Sequence, residues 1–295
     1  MIIQKSKGDK LFDILNTLGM ALIIFVTLYP FWFALIGSLN EGTDYARGGV
    51  NLLIRKFTLD NYKVVFSDGE ILSAFKVTIA RTLVGTSLHV LVTALFAYGF
   101  SRKYLLGKKA YATMGLITMY FSGGLIPFYL LLKALGLIDN FLVYILPGLF
   151  SFYQVLIFQA FFREIPEAIN ESAKMDGAGE YRIFFSLIIP LSAPVLAAVT
   201  LFAGVHHWNS FFDSMVYTTK RELQVIQLVL IKIIQTKEQA QRMVDIASAV
   251  EDNTTSTSDT VQLATMMVTT APIIMLYPFL QKYFVKGIMI GSVKG

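Results

Sequence analysis

The sequence has no cysteine, only 15% charged residues and three histidines among its 295 residues. The absence of cysteine excludes a disulfide-stabilised scaffold, a Cys-ligated zinc site and thiol catalysis. A soluble domain carries about 25% charged residues, so this charge content is atypical of a water-soluble fold. The apolar residues fall in runs of about 20, the length that crosses a hydrocarbon core of about 30 Å. These features predict a polytopic, all-α membrane protein.

We predict six membrane spans that form one transmembrane domain over residues 1–295. The start of the first span resembles a signal peptide, but the apolar stretch is too long and lacks a cleavage site, so we interpret it as an anchor. A long outer loop, 208–260, contains the apolar stretch Leu223 to Ile234, which is too short to span and predicts a surface or re-entrant helix. The predicted spans are 14–39, 79–100, 111–132, 141–162, 184–203 and 261–280.

The distribution of basic residues predicts that both termini are cytoplasmic. With the N-terminus inside, the short inside segments hold 13 of the 25 Lys and Arg residues. Most of the others lie in two long outside loops, where the positive-inside rule acts weakly. The chain shows no basic face for nucleic acid, so no nucleic-acid partner is expected. The inside residues are Lys5, Lys7, Lys10, Arg102, Lys103, Lys108, Lys109, Arg163, Lys174, Arg182, Lys282, Lys286 and Lys294.

Motifs for catalysis and nucleotide binding are absent from the sequence. It contains no Gly-x-x-x-x-Gly-Lys-Ser/Thr loop, no His-Glu-x-x-His and no Gly-x-Ser-x-Gly. His206 and His207 are adjacent and would point about 100° apart on a helix, which makes them a poor metal-binding pair. His89 is expected to form hydrogen bonds inside the helix bundle. The sequence therefore predicts no catalytic or metal site, and an intramembrane enzyme is disfavoured.

The predicted spans contain no Asp or Glu. An ionisable residue inside a membrane is costly and usually marks proton relay or ion coupling. A secondary carrier is therefore disfavoured, and the energy for uphill transport would enter through a partner protein. Arg81 is the one clear charge within a span. We expect its side chain to reach the outer interface, with a role in a transport pathway as the alternative.

A short polar helix is predicted at 166–177, between spans four and five. Pro166 suits the first helical position, Glu167 suits the positive end of the helix, and Gly177 is a natural stop. A helix of this length is marginal in water and needs a surface to dock on; a position flat on the lipid is the alternative. One side carries Ala168, Ile169, Ser172, Ala173 and Met175, and the other carries Glu167, Glu171 and Lys174.

This stretch resembles the membrane subunits of bacterial ATP-binding-cassette (ABC) importers. Their pattern is Glu-Ala-Ala, three residues, Gly, nine residues and Ile-x-Leu-Pro. The present chain has Glu171-Ser172-Ala173, Gly177 and Leu187-Ile188-Ile189-Pro190 at the same spacing. Ser172, Leu187 and Ile189 depart from the pattern by similar residues.

Other segments are similar to the carbohydrate-importing branch, in particular to the smaller, six-span permease of maltose-type systems. These segments are FTLDNY at 57–62, WNSFF at 208–212 and the tail QKYFVKGIMIGSVKG. YFSGGLIPFYLL at 120–131 and GLIDNFLVYILPG at 136–148 resemble permeases for complex oligosaccharides and polysaccharide fragments, such as those from pectin or alginate.

The resemblance implies a type I ABC importer permease fold in the bacterial cytoplasmic membrane, with 166–177 as a cytoplasmic coupling helix. It implies a second, homologous permease subunit, two cytoplasmic ATPase subunits and an extracytoplasmic sugar-binding protein as partners, besides membrane lipid. This chain would be no enzyme and would bind no cofactor, because ATP and Mg would be held by the ATPase subunits. An importer of the same class for a non-sugar solute is the alternative. The residues implied in coupling are Glu167, Glu171, Ala173, Lys174, Asp176, Gly177 and Pro190.

Candidate saccharide contacts are aromatic and amide residues in spans three to five and at their outer end. Sugars stack on aromatic rings and bond to amides, although helix packing explains each of these residues equally well. Gly123-Gly124 and Pro127 break the third span, and broken helices often line transporter sites. The stretch Tyr120 to Tyr129 is therefore the favoured region. The candidates are Tyr120, Tyr129, Tyr153, Gln154, Trp208 and Asn209, with Tyr144 and Gln159 considered beside them.

Overall fold

The computed structural model describes the backbone of residues 7–244 and 256–292, and the side chains of residues 8–236 and 256–275. Within these ranges the secondary structure is helical apart from one antiparallel bridge between Asn40 and Phe57, which confirms the predicted all-α class. Predictions that concern Lys5, Lys294 and residues 245–255 of the predicted outer loop lie outside the described residues, as do those on the side chains of the C-terminal tail.

The α-helices are numbered along the chain. They are α1 Lys7–Ser38, α2 Gly42–Ala46, α3 Asp60–Ser67, α4 Gly69–Ser101, α5 Lys108–Tyr120, α6 Leu125–Ala134, α7 Phe152–Glu164, α8 Glu167–Met175, α9 Glu180–Ile183, α10 Ile189–Leu191, α11 Ala193–Asn209, α12 Phe212–Tyr217, α13 Ile226–Val244 and α14 Ser258–Ser292. A π-helical segment, Phe184–Ile188, joins α9 to α10, and two short 3-10 helices cover Phe141–Tyr144 and Arg221–Leu223.

The chain divides into two compact units, each described by itself. The first comprises Met1–Asp68 with Lys232–Thr270, and the second comprises Gly69–Ile231 with Ala271–Gly295. In the first unit, α1 is a long apolar helix, and only 6% of its most apolar stretch of 18 residues is buried. An apolar helix with so little cover must meet lipid or another protein rather than water.

The segment FTLDNY ties the end of α1 to the start of α14 inside the first unit. Asn61, fully buried, donates to the carbonyl oxygens of Ser38 and Asn40 at 2.9 Å each. Its amide oxygen accepts a hydrogen bond from the Thr260 hydroxyl at 2.8 Å. Buried polar groups need partners, and this one asparagine satisfies two backbone carbonyls at the C-terminal end of α1 and just beyond it.

The second unit is built around α4, which packs on α7 and α11. Its core includes fully buried Ala94, Val155, Phe158, Phe184 and Val199. Close helix contact requires small residues, and the sequence supplies glycines at the crossings. A Cβ at Gly85 would lie 2.6 Å from the His207 ring, and one at Gly115 would lie 2.3 Å from Phe152.

The predicted spans differ in continuity. The second and sixth lie inside α4 and α14, and the first lies inside α1 except for its last residue, Leu39. The third is divided into α5 and α6, which are bent by 113°, and the fifth is bent by 84° at Ser192. The fourth is a 3-10 turn, a non-helical stretch and then α7. Among the described residues, two helices are long and apolar enough to cross a membrane, or four if each bent pair is one span.

Two local features explain the bend at Ser192. Pro190 lies inside α10 and Pro194 lies in the first turn of α11. A proline lacks a backbone N–H and clashes with the preceding turn, so helices kink or break at it. The apolar stretch Leu223 to Ile234, predicted as a surface or re-entrant helix, is helical from Ile226 onwards, within α13. Its position at a membrane surface stays a prediction.

Candidate functional site

The helix predicted at 166–177 is present as α8. Pro166 occupies its N-cap rather than its first helical position. At the other end, Gly177 has a φ of 77°, a left-handed conformation that favours glycine. The Gly177 N–H donates to the Lys174 carbonyl at 3.0 Å, and the Ala178 N–H donates to the Ala173 carbonyl at 2.9 Å. This pair of bonds is the Schellman motif, so α8 has a defined stop.

The loop after α4 holds α8 from one side. Lys103 Nζ lies 2.5 Å from Glu167 Oε2, and Arg102 Nη2 donates to the buried Asn170 side chain at 3.2 Å. The hydrogen bond and charge of Lys103 lower the pKa of Glu167. The Arg102 guanidinium also stacks 4.1 Å over the Tyr98 ring. The N-terminal half of α8 is thus fixed to the end of α4.

Glu180 is a second anchor, at the start of α9. Its carboxylate accepts hydrogen bonds from Tyr98 at 2.6 Å and Tyr104 at 3.0 Å. It also pairs with Lys174 at 2.6 Å and with Arg102 at 3.5 Å. Lys174, which the resemblance implies in coupling, is paired with Glu180 within the chain, and its role in coupling stays a prediction.

The opposite side of α8 is open. Glu171, Ser172 and Asp176 are exposed, and Met175 has 88% of its surface exposed. Asn170 is buried, and Ile169 and Ala173 are partly buried. Of the residues predicted for coupling, Glu171 and Asp176 therefore lie on the outward face, Gly177 forms the stop, and Pro190 lies in α10 before the bend.

The predicted saccharide contacts fall into two groups. Tyr120, Tyr153 and Asn209 are exposed, with Tyr120 at 86%. Gln154 bonds to the His89 ring at 2.6 Å, and Trp208 is buried edge-on against another ring. His89 also contacts the Gly148 carbonyl at 2.6 Å, so it is bonded inside the bundle, as expected. The further candidates Tyr144 and Gln159 are buried. Tyr144 donates to the Ser214 hydroxyl of α12 and the Leu223 carbonyl, and Gln159 donates to the Phe100 carbonyl of α4.

A cavity of about 470 Å³ lies at the break between α5 and α6. Gly124, with a φ of 87°, makes the sharp turn. Tyr129 stacks on Tyr217 with ring centroids 6.2 Å apart, and Phe128 meets the same ring edge-on. Sequence reasoning missed Tyr217, because nothing local links it to a break about 90 residues earlier in the chain. The cavity is lined by Ser122, Gly123, Gly124, Leu125, Pro127, Phe128, Leu131 and Tyr217.

The prediction that Arg81 reaches the interface was wrong. Its residue surface is 1% exposed, and its two terminal nitrogens contact the Asp213 carboxylate at 3.1 and 2.5 Å. The guanidinium also donates to the Ser210 carbonyl at 3.2 Å and lies 4.5 Å from the centre of the Tyr144 ring. A charge at this depth is tolerated because it is paired and bonded.

Known proteins match over nearly the whole chain. Protein LplC of Bacillus subtilis is 35% identical, and the alignment covers 99% of this chain and 98% of the relative. The polygalacturonan/rhamnogalacturonan transport system permease YtcP of the same organism is 32% identical over 97% of this chain and 99% of the relative. The chain belongs to the permease family of carbohydrate ABC importers. No protein-family model matches it.

Comparison of the fold with solved structures leads to the same family. A chain in the crystal structure of a bacterial ABC transporter that imports the acidic polysaccharide alginate superimposes with a TM-score of 0.85. It is 28% identical, and the match covers 95% of this chain and 99% of that one. Relatives of this kind are integral membrane subunits that catalyse no reaction themselves. This membership overturns the secondary-carrier and intramembrane-enzyme alternatives.

Proposed function

We propose that this permease subunit imports fragments of acidic polysaccharides, of the pectin or alginate type. The observation that carries the proposal is that one relative and one similar structure, at 32% and 28% identity, are both named for acidic polysaccharides. The relatives named for arabinooligosaccharides and lactose are less similar, at 25% and 27% identity. One relative is named for polygalacturonan and rhamnogalacturonan, and the similar structure belongs to an alginate importer. All these polymers contain uronic acids, whose carboxylates distinguish them from neutral sugars.

We further propose six spans in one transmembrane domain, with both termini in the cytoplasm. The positive-inside distribution supports this topology. The two bent helix pairs suit the third and fifth spans, because irregular backbone at membrane depth is tolerated where it lines a cavity or is buried in protein. The break at Gly124 fits this condition, since a cavity lies beside it.

The assembly that we propose contains a second permease, two cytoplasmic ATPase subunits that bind ATP and Mg, and an extracytoplasmic binding protein. The outward face of α8 is the proposed contact with an ATPase subunit. Two features support this role. The face is exposed and mixed in character, with Met175 and Glu171 side by side, and the helix is held on its other side by contacts with Arg102, Lys103 and Glu180. A helix braced in this way can transmit a displacement.

The proposed saccharide pathway runs past the break between α5 and α6. Four of the predicted saccharide contacts remain candidates: Tyr120, Tyr129, Tyr153 and Asn209. Tyr217 is added to them because it lines the cavity at the break. Gln154 and Trp208 would have to leave their present partners, so a role in packing explains them better.

Purification of the tagged chain from native membranes in mild detergent tests the proposal. We expect a second permease and an ATPase to co-purify. ATPase activity should rise when binding protein and oligogalacturonate or oligoalginate are added together, and neutral oligosaccharides of equal length serve as the matched control. Stimulation by neutral sugars alone would refute the acidic cargo but leave the assembly intact. A chain that purifies alone in several detergents, and that gives no cross-link to an ATPase from a Ser172→Cys variant, would refute the assembly.

A further inference from the structure

The loop between α2 and the bridge at Phe57 carries an exposed apolar tip. Leu52 and Leu53 are 59% and 76% exposed, whereas the neighbouring Val50 is buried. Single exposed leucines are ordinary on a protein surface. Two in succession at a loop tip that is packed against a membrane helix raise the question of what covers them.

Two aromatic side chains of α1 hold this tip. Trp32 Nε1 donates to the Leu52 carbonyl oxygen at 3.0 Å, and the Tyr29 hydroxyl donates to the Asn51 carbonyl oxygen at 3.5 Å. The chain leaves α1 at Ser38, so it folds back along the helix by about 9 to 14 Å at a rise of about 1.5 Å per residue. Gly48 and Gly49, with φ values of 76° and 82°, make the turn that permits this return.

The same stretch of α1 marks a membrane boundary. Asp13 is the last charged residue of the helix, and about 20 residues after it cross a hydrocarbon core of about 30 Å, which ends near Phe33. Tyr29 and Trp32 therefore lie where tyrosine and tryptophan are enriched, at the interface between hydrocarbon and water. Their bonds to the loop set the depth of its tip.

We propose that Asn51–Leu53 is a membrane-inserted loop tip, with Leu52 and Leu53 in contact with lipid in the leaflet where α1 ends. Lipid is the occupant because the tip continues the exposed apolar surface of α1, along which Leu22, Phe25 and Leu28 are each 58% to 64% exposed. The Trp32 and Tyr29 bonds would be protected from water by the inserted leucines. The tip would fix the depth of α1 in the bilayer, in addition to any contact that the helix makes with other subunits.

Photo-crosslinking identifies the occupant directly. Benzoylphenylalanine replaces Leu53 in the assembled transporter, reconstituted in phosphatidylethanolamine and phosphatidylglycerol, and the sample is irradiated. We expect an adduct of one lipid mass on this chain by intact mass spectrometry. The same probe at Lys63, whose side chain is 75% exposed in the same unit, is the matched control and should give at least fivefold less. A cross-link from position 53 to another protein subunit, or a lipid yield equal to the control, would overturn the proposal.

The absence of cysteine allows a second measurement. A Leu53→Cys variant is labelled with a nitroxide in a transporter whose other subunits are cysteine-free. In liposomes, oxygen should relax the label more strongly than a water-soluble nickel complex does, and the order should reverse for Lys63→Cys. Preferential access of the nickel complex would place the tip in water, and access of neither reagent would mean cover by protein. Either result would refute lipid contact.

Discussion

Arg81 and Asp213 form a bidentate ion pair although 132 positions separate them in the sequence. The arginine side chain is 2% exposed and the aspartate side chain 22%. The pair joins α4 to the start of α12, so the segment that follows α11 is attached to the central helix of its unit. Removal of one partner leaves a buried charge without compensation.

Arg81→Met and Asp213→Leu are each expected to destabilise the protein by about 3 kcal/mol, because one charge of a buried pair is left unpaired. The double variant should be more stable than either single variant. Thermal unfolding in detergent measures the three against the unmodified chain. If the losses of stability in the two single variants simply add in the double variant, the pairing is contradicted. Lys63→Met, which removes an exposed charge, is the control for surface effects.

Glu171→Arg should abolish transport and uncouple the ATPase, because it reverses a charge on the open face of α8. Membrane insertion and the amount of chain should stay unchanged, since Glu171 is exposed. Substrate uptake and ATPase activity of reconstituted complexes provide the readout. The matched control is Glu164→Arg, an exposed glutamate at the end of α7. Normal uptake by Glu171→Arg would eliminate α8 as the coupling element.

Gly177→Ala should cost about 1 kcal/mol in the stability of the α8 stop, because its φ of 77° is unfavourable for a residue with a Cβ. Nothing lies within 4 Å of the added carbon, so the penalty comes from the backbone alone. Gly177→Asn should cost less, and Gly177→Trp should abolish transport.

Hydrogen exchange at the Ala178 amide, which bonds to the Ala173 carbonyl, reports this local effect. Gly179→Ala is the control, because Gly179 has a φ of −72° and equally open space. Exchange that is equally fast in both variants would argue against a conformational role for Gly177.

Gly42→Ala should lower the yield of folded chain, because its Cβ would lie 2.3 Å from the Thr257 backbone nitrogen. A backbone atom cannot rotate away as a side chain can, so overpacking of about 1–3 kcal/mol is expected. Quantitative membrane extraction and thermal unfolding provide the measurement. Gly69→Ala, with nothing within 4 Å, should behave as the unmodified protein. Equal stability of both variants would show that the first unit relaxes around this contact.

Hydropathy and turn chemistry predicted much of the fold. The long apolar runs became α1 and α4, and Gly123-Gly124 marked the break before α6. Gly177 marked the stop of α8, since a left-handed terminus favours that residue. These features depend on neighbouring residues, so a single sequence carries them.

Features that depend on distant residues were missed. The partner of Arg81, Asp213, lies in the predicted outer loop 208–260, where no periodic pattern places it beside α4. A lone arginine in an apolar span does require a counter-ion, and Asp213 is the first carboxylate after the fifth predicted span. The ion pair of Lys174 with Glu180 was not predicted, because Glu180 lies beyond the end of α8.

The carboxylate of Glu180 gathers Tyr98 from α4, Tyr104 from the next loop and Lys174 from α8. Three segments meet on two oxygen atoms, so they share one mechanical junction. In the proposed coupling role, a displacement of α8 would be passed to the end of α4, and α4 carries Arg81 in its other half. The stiffness of this junction, rather than the strength of the contact between α8 and a partner subunit, would determine how much of the displacement reaches the opposite end of the second unit.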